Sequence, residues 1–173
     1  MTTEPAQTAP ISSIGIRTLA AGAGEVTGDP ALALDRYLVD SRDAGGRVAL
    51  VEHTLAPRVL AAPVHLHTRE DEYSYVLEGR LGVFQDDAEV VVGPGELVFK
   101  PRGHWHTFWN AGDSQLRVLE LIAPGGIEQL FRLLAEPGGE YDPDSLPALA
   151  AEYGCEVDFD RSMPLIQRHG LAM

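Results

Sequence analysis

The stretch His65-Leu66-His67-Thr68-Arg69-Glu70-Asp71-Glu72-Tyr73-Ser74-Tyr75-Val76-Leu77-Glu78-Gly79 decides how this chain is read. Side chains alternate faces along a strand, so His65 and His67 share one side and Leu66 takes the other. Thr68-Arg69-Glu70-Asp71 forms a polar corner, with Glu70 and Asp71 expected as solvated charges. Glu72 then opens an apolar run that closes at the turn pair Glu78-Gly79, which sets its carboxylate on a strand beside the two imidazoles. Downstream, Pro101-Arg102-Gly103-His104 bends tightly before the strand His106-Thr107-Phe108-Trp109-Asn110. His65, His67, Glu72 and His106 together read as a metal site. Imidazole nitrogens suit Fe, Ni, Cu and Zn, and one carboxylate adds negative charge that helps hold a divalent ion. One divalent transition metal per chain is expected, from among Fe, Ni, Mn, Zn, Co and Cu.

Working outward, short apolar runs recur with turn chemistry between them: 47–55, 73–77, 81–84, 90–92, 96–100, 107–109 and 116–122. The breaks are Gly- and Asp-rich, as at Asp86-Asp87 and Gly93-Pro94-Gly95. Strands at this cadence predict an all-β sandwich or barrel over residues 13–123. Residues 1–12 have no period and are expected as a flexible tail or a strand-swapped arm. After Pro124 the period becomes helical, with Ile127, Leu130, Phe131 and Leu134 forming one apolar stripe that should pack outside the barrel. A second helix is signalled by Ser145, Pro147 and Gly154, and a short third by the span from Ser162 to Gly170. The helical extension over 124–173 reads as structural covering.

At 173 residues and 45% hydrophobic content, the chain has the size of one ordinary domain with a full core. Its 26 acidic against 13 basic side chains give a formal charge of −13, which repels a phosphate backbone or an anionic membrane surface. Nucleic acid and membrane are therefore not expected as partners. The N-terminal segment lacks a basic leader and an apolar core, and the single Cys155 excludes an internal disulfide, so a cytoplasmic protein is expected. Cys155 itself reads as a small buried or half-buried side chain rather than a nucleophile.

The spacing resembles that of the cupin superfamily, whose first motif is His65-x-His67-x4-Glu72-x6-Gly79 and whose second is Gly95-x5-Pro101-x-Gly103-x2-His106-x3-Asn110 in this sequence. Fifteen residues separate Gly79 from Gly95. One position departs: Val59 stands where the family has Gly six residues before the first His. The resemblance implies a double-stranded β-helix, or jelly-roll barrel, with the metal inside and C-terminal helices outside. The segment Pro124 to Phe131 is further similar to bacterial single-domain cupins of the quercetin 2,3-dioxygenase type. That likeness implies a dioxygenase acting on a small aromatic or enolisable, flavonol-like compound. Alternatives are a non-redox metal-dependent isomerase or cyclase, and a non-catalytic small-molecule-binding cupin. The family also pairs barrels, which implies a homodimer.

Glu72, a carboxylate in a partly dry cavity, is expected to have a raised pKa and to act as general base as well as ligand, the double role that the resemblance also implies. Alternation leaves Phe108 on the His106 side of its strand, and Phe108 and Tyr75 are expected to wall a substrate pocket. The motif selects His106 over His104. His53 and His169 read as packed or surface histidines, and Asn110 as a turn residue.

Overall fold

A computed structural model describes residues 16–136 and 144–173, so the expected tail over 1–12 lies outside the described residues. The strands in chain order are β1 (Glu25–Asp29), β2 (Ala33–Val39), β3 (Ala49–Leu55), β4 (Val64–His67), β5 (Asp71–Glu78), β6 (Leu81–Gln85), β7 (Ala88–Val92), β8 (Leu97–Lys100), β9 (His106–Asn110) and β10 (Leu116–Ala123). Helices α1 (Glu128–Leu134) and α2 (Leu146–Glu152) follow, then β11 (Cys155–Asp158) and α3 (Phe159–His169). All pairing between these strands is antiparallel, in two sheets ordered β1-β2-β3-β10-β5-β8 and β11-β4-β9-β6-β7. The two sheets face each other as a double-stranded β-helix, the architecture expected.

Period-two alternation sorts each central strand into an inner and an outer row. On β10 the buried positions are Leu116, Val118, Glu120 and Ile122; on β5 they are Glu72, Ser74 and Val76. Leu55, Val76, Leu81, Val83, Phe108, Leu116 and Val118 fill the lower half of the barrel as one apolar cluster. Burial of this size is the main stabilising term of the fold. Gly82 has no room for a side chain, because a Cβ there would lie 2.2 Å from the Trp109 ring. The turn before β4, where Val59 replaces the expected glycine, is taken one residue earlier by Arg58, which adopts a left-handed φ of 60°.

The C-terminal helices cover the barrel as expected, and two details differ: where α3 begins, and an added strand. Helix α3 does pack on the outer face of the second sheet, where Leu165 joins Leu60, Val64, Phe84 and Trp109. It begins at Phe159, three residues before the expected start, because Asp158 caps it by accepting from the Arg161 N–H. Helices α1 and α2 also cover the barrel, where Ile127, Leu130 and Ala150 pack with Tyr37, Val51 and Ile122. Strand β11 was not expected at all; it extends the second sheet by pairing with β4, with Cys155 opposite His67 and Val157 opposite His65. Among the described residues no helix is long and apolar enough to cross a membrane.

Candidate metal centre

Three strands converge on one point inside the barrel. His65 and His67 lie on the inner row of β4, His106 begins β9 directly opposite His65, and Glu72 lies on the inner row of β5 in the facing sheet. Their ligand atoms all lie within 4.8 Å of one another. His65 and His106 are oriented by the same device. Each places its Nδ1 on the carbonyl two residues earlier, Pro63 O at 2.7 Å and His104 O at 3.0 Å, which assigns the proton to Nδ1 and turns Nε2 inward. His67 Nε2 stands 3.2 Å from Glu72 Oε1, and His106 Nε2 stands 3.2 Å from Glu72 Oε2.

The electrostatics fit a cation. Burial, and then the adjacent His106 and His67 rings, hold His65 well below the ordinary imidazole range, so it is a neutral donor. Burial also works against protonation of His67, but the Glu72 carboxylate outweighs it and pushes His67 up to about 10. Both His67 nitrogens are buried without a hydrogen-bond partner. Orphaned buried nitrogens beside a buried carboxylate are what a metal site looks like before its ion is counted. The donor set therefore fits one divalent transition metal held by His65, His67, Glu72 and His106.

The surroundings of Glu72 correct the expectation of a raised pKa. Burial does favour its neutral form, but Lys100 and then His67 outweigh burial and hold the carboxyl well below its usual range. Lys100 was missed as a site residue. Fully buried at the end of β8, its Nζ lies 2.8 Å from Glu72 Oε2 and 3.2 Å from Glu120 Oε1, and 4.7 Å above the centre of the Phe108 ring. Ser74 donates to Glu120 Oε2 at 2.7 Å. Alternation could have found this network, since Lys100 and Glu120 occupy inner-row positions where apolar residues belong.

Above the donors lies a cavity of about 240 Å³, lined on the barrel side by His53, Asp35, Leu55, Phe108, His65, His67 and Glu72. Its far wall is made by Ile127, Leu130, Phe131 and Leu134 of the α1 segment, together with Cys155 of β11. Phe108 thus stands in the cavity wall. Tyr75 does not, and this corrects the sequence reading. It lies three positions after Glu72, an odd offset, so it falls on the outer row of β5 and is 40% exposed. Glu70, expected as a solvated charge, is buried, and burial raises its pKa. Asp71 stays at the surface, paired with Arg102 at 2.7 Å. His104 is half exposed and pairs with Asp86, while His169 stacks on Trp109 outside the barrel. Asn110 ties its turn together: its amide donates to the carbonyls of Leu55, Ala56 and Ser114, and Gly112 N–H donates to its Oδ1.

A family model described as the cupin domain matches residues 51–122. The quercetin 2,3-dioxygenase of Bacillus subtilis (strain 168) is 26% identical over 121 residues, which is 69% of this chain and 34% of that protein. The chain thus spans about a third of the length of that relative. Among solved structures, the polyketide cyclase RemF from Streptomyces resistomycificus is 28% identical with a TM-score of 0.54, over 64% of this chain and 81% of the cyclase. KdgF from Halomonas sp. is 15% identical with a TM-score of 0.57, over 66% of this chain and 99% of its own, and shows the shared fold.

Proposed function

Because residues 51–122 of this chain are a cupin domain, we propose that the protein is a metal-dependent cupin enzyme, a dioxygenase acting on a small aromatic or enolisable compound of the flavonol type. The observation that carries this reading is the meeting of four donors, His65, His67, Glu72 and His106, of which His65, His67 and Glu72 line a mostly apolar cavity. A transition metal held there would supply Lewis acidity toward an enol or phenol oxygen and, where redox-active, reactivity with dioxygen. The chain's own residues do the rest. Phe108 and Phe131 offer flat apolar walls to an aromatic ring, and the α1 side chains keep bulk water from the donors. Glu72, held ionised by Lys100, serves as ligand and, as a carboxylate beside the bound substrate, as the general base expected of it.

Oxygen uptake decides the matter. Protein loaded with Fe, Ni or Mn and supplied with a panel of flavonols and simpler enols should consume O2 with at least one pair, and anaerobic turnover should stop. The similarity to a polyketide cyclase favours a second reading, metal-dependent cyclisation or isomerisation without redox change. In that case substrate is converted at equal rates with and without O2.

The outer face of the first sheet supports pairing with a second copy. Tyr75, Leu97, Phe99 and Leu121 are all exposed there, and the register places them on neighbouring strands: Leu121 by Tyr73, Tyr73 by Phe99, and Tyr75 by Leu97. A contiguous apolar patch on a β-sheet face is suited to self-association.

A further inference from the structure

The sequence reads His53 as a packed or surface histidine, yet it lines the cavity together with Asp35. The two are register partners on β3 and β2, and His53 Nδ1 lies 2.7 Å from Asp35 Oδ1. That bond assigns the ring's remaining lone pair to Nε2 when the imidazole is neutral. The ring is fixed on both flanks by aromatic contacts, with Phe108 at 5.5 Å and Phe131 at 5.9 Å between centroids. Phe108 belongs to β9 and Phe131 to helix α1, so the His53 ring touches both the barrel and the helical cover. An imidazole in a mostly apolar cavity, preoriented by a carboxylate, is the arrangement that accepts a proton from a bound ligand.

We propose that His53, oriented by Asp35, is a proton acceptor for the ionisable hydroxyl of a phenol or enol bound in this cavity. The assignment deepens the reading of the cavity as a substrate site and rests on it. In the step, the ligand's O–H bond breaks and its proton passes to His53 Nε2. The Nδ1–H stays on nitrogen and remains donated to Asp35, and the ligand oxygen keeps the electron pair as phenolate or enolate. The charge balance around the ring supports the role. Burial opposes protonation, but Asp35 and the more distant Glu120 outweigh it, with Lys100 acting against them, so His53 is a stronger base than free imidazole.

The test uses para-nitrophenol, whose absorption distinguishes phenol from phenolate, titrated into the full-length protein as purified, with metal content measured in parallel. The titration is run at the upper end of the pH range in which the free probe is still mostly un-ionised, where His53 is closest to neutral and can accept a proton. Wild-type protein is expected to bind it and display the phenolate band. His53→Gln should bind about tenfold or more weakly and show the neutral phenol band only, with metal content and circular dichroism unchanged. Asp35→Asn, a partly exposed position, should reduce the phenolate fraction, and it decides the question if His53→Gln does not fold. Unchanged affinity and band in the folded His53→Gln or Asp35→Asn protein, or no binding by wild type, overturns the assignment. Neither O2 nor turnover enters this assay, so a failed oxygenase reading shows separately as absent oxygen uptake.

Discussion

Lys100 and Glu72 are direct partners across the β5–β8 ladder, and their side chains meet inside the barrel with Nζ 2.8 Å from Oε2. The carboxylate that completes the donor cluster is therefore shared with a buried ammonium, which Glu120 holds from the other side at 3.2 Å. Burial works against the Lys100 charge, but Glu120 and Glu72 outweigh it and raise its pKa.

Removing the ammonium leaves two buried carboxylates facing each other. Lys100→Met is expected to cost roughly 3–5 kcal/mol of stability, the range for breaking a buried ion pair from one side. Adding Glu120→Gln to the same protein should recover part of that loss, because one of the stranded charges is gone. Urea unfolding of the single and double variants measures both. A single variant as stable as wild type would mean that the network contributes nothing.

Metal retention should depend on the inward Nε2 atoms. Protein purified without chelators is expected to carry about one transition ion per chain, and His106→Ala or His67→Ala to carry a small fraction of that. Chelator should lower the wild-type Tm and leave that of His106→Ala unmoved, since a ligand stabilises only a fold that binds it. Elemental analysis with calorimetry reads both effects.

Asp40 predicts a pH dependence. Its hydrogen bond from the Arg42 guanidinium, followed by the Arg42 N–H and the nearby Arg132, outweighs partial burial and lowers its pKa from 3.8 to about 2. The folded value is the depressed one, so this contribution is fully present above the ordinary value and is lost as pH falls toward about 2. Asp40→Asn should flatten the fall of Tm with pH across that window and leave the slope at neutral pH unchanged. The same residue ties β2 to α1, so the variant also loosens the cavity's helical cover.

The exposed outer row of the first sheet predicts its own reporter. Light scattering is expected to give a dimer mass for wild type, and Phe99→Glu with Leu97→Glu to give a monomer that keeps its metal. A monomeric wild type removes the proposed pairing.

Much of the site was legible because strand alternation is a local rule. His65 and His67 share a face whatever surrounds them, and the run from Glu72 to Gly79 reads as a strand from its own composition. The same rule, applied to Tyr75 with its parity counted from Glu72, places that ring outside. The rows of charged residues inside the barrel were legible in principle too, since Lys100 and Glu120 break an apolar row. Strand β11 was not. Cys155-Glu156-Val157-Asp158 is too short to carry a pattern, and only the free edge of β4 gives it a partner.

By itself the order of residues determined an all-β sandwich or barrel, which the resemblance to cupins narrows to a double-stranded β-helix, and three imidazoles with one carboxylate as its chemical content, because face and turn follow from neighbours in the chain. What tertiary structure alone decided is the electrostatic state of those groups. Lys100, Glu120 and Asp35 reach Glu72 and His53 from other strands, and the charge a buried group carries depends on what lies within a few ångströms in space, wherever it lies in the chain.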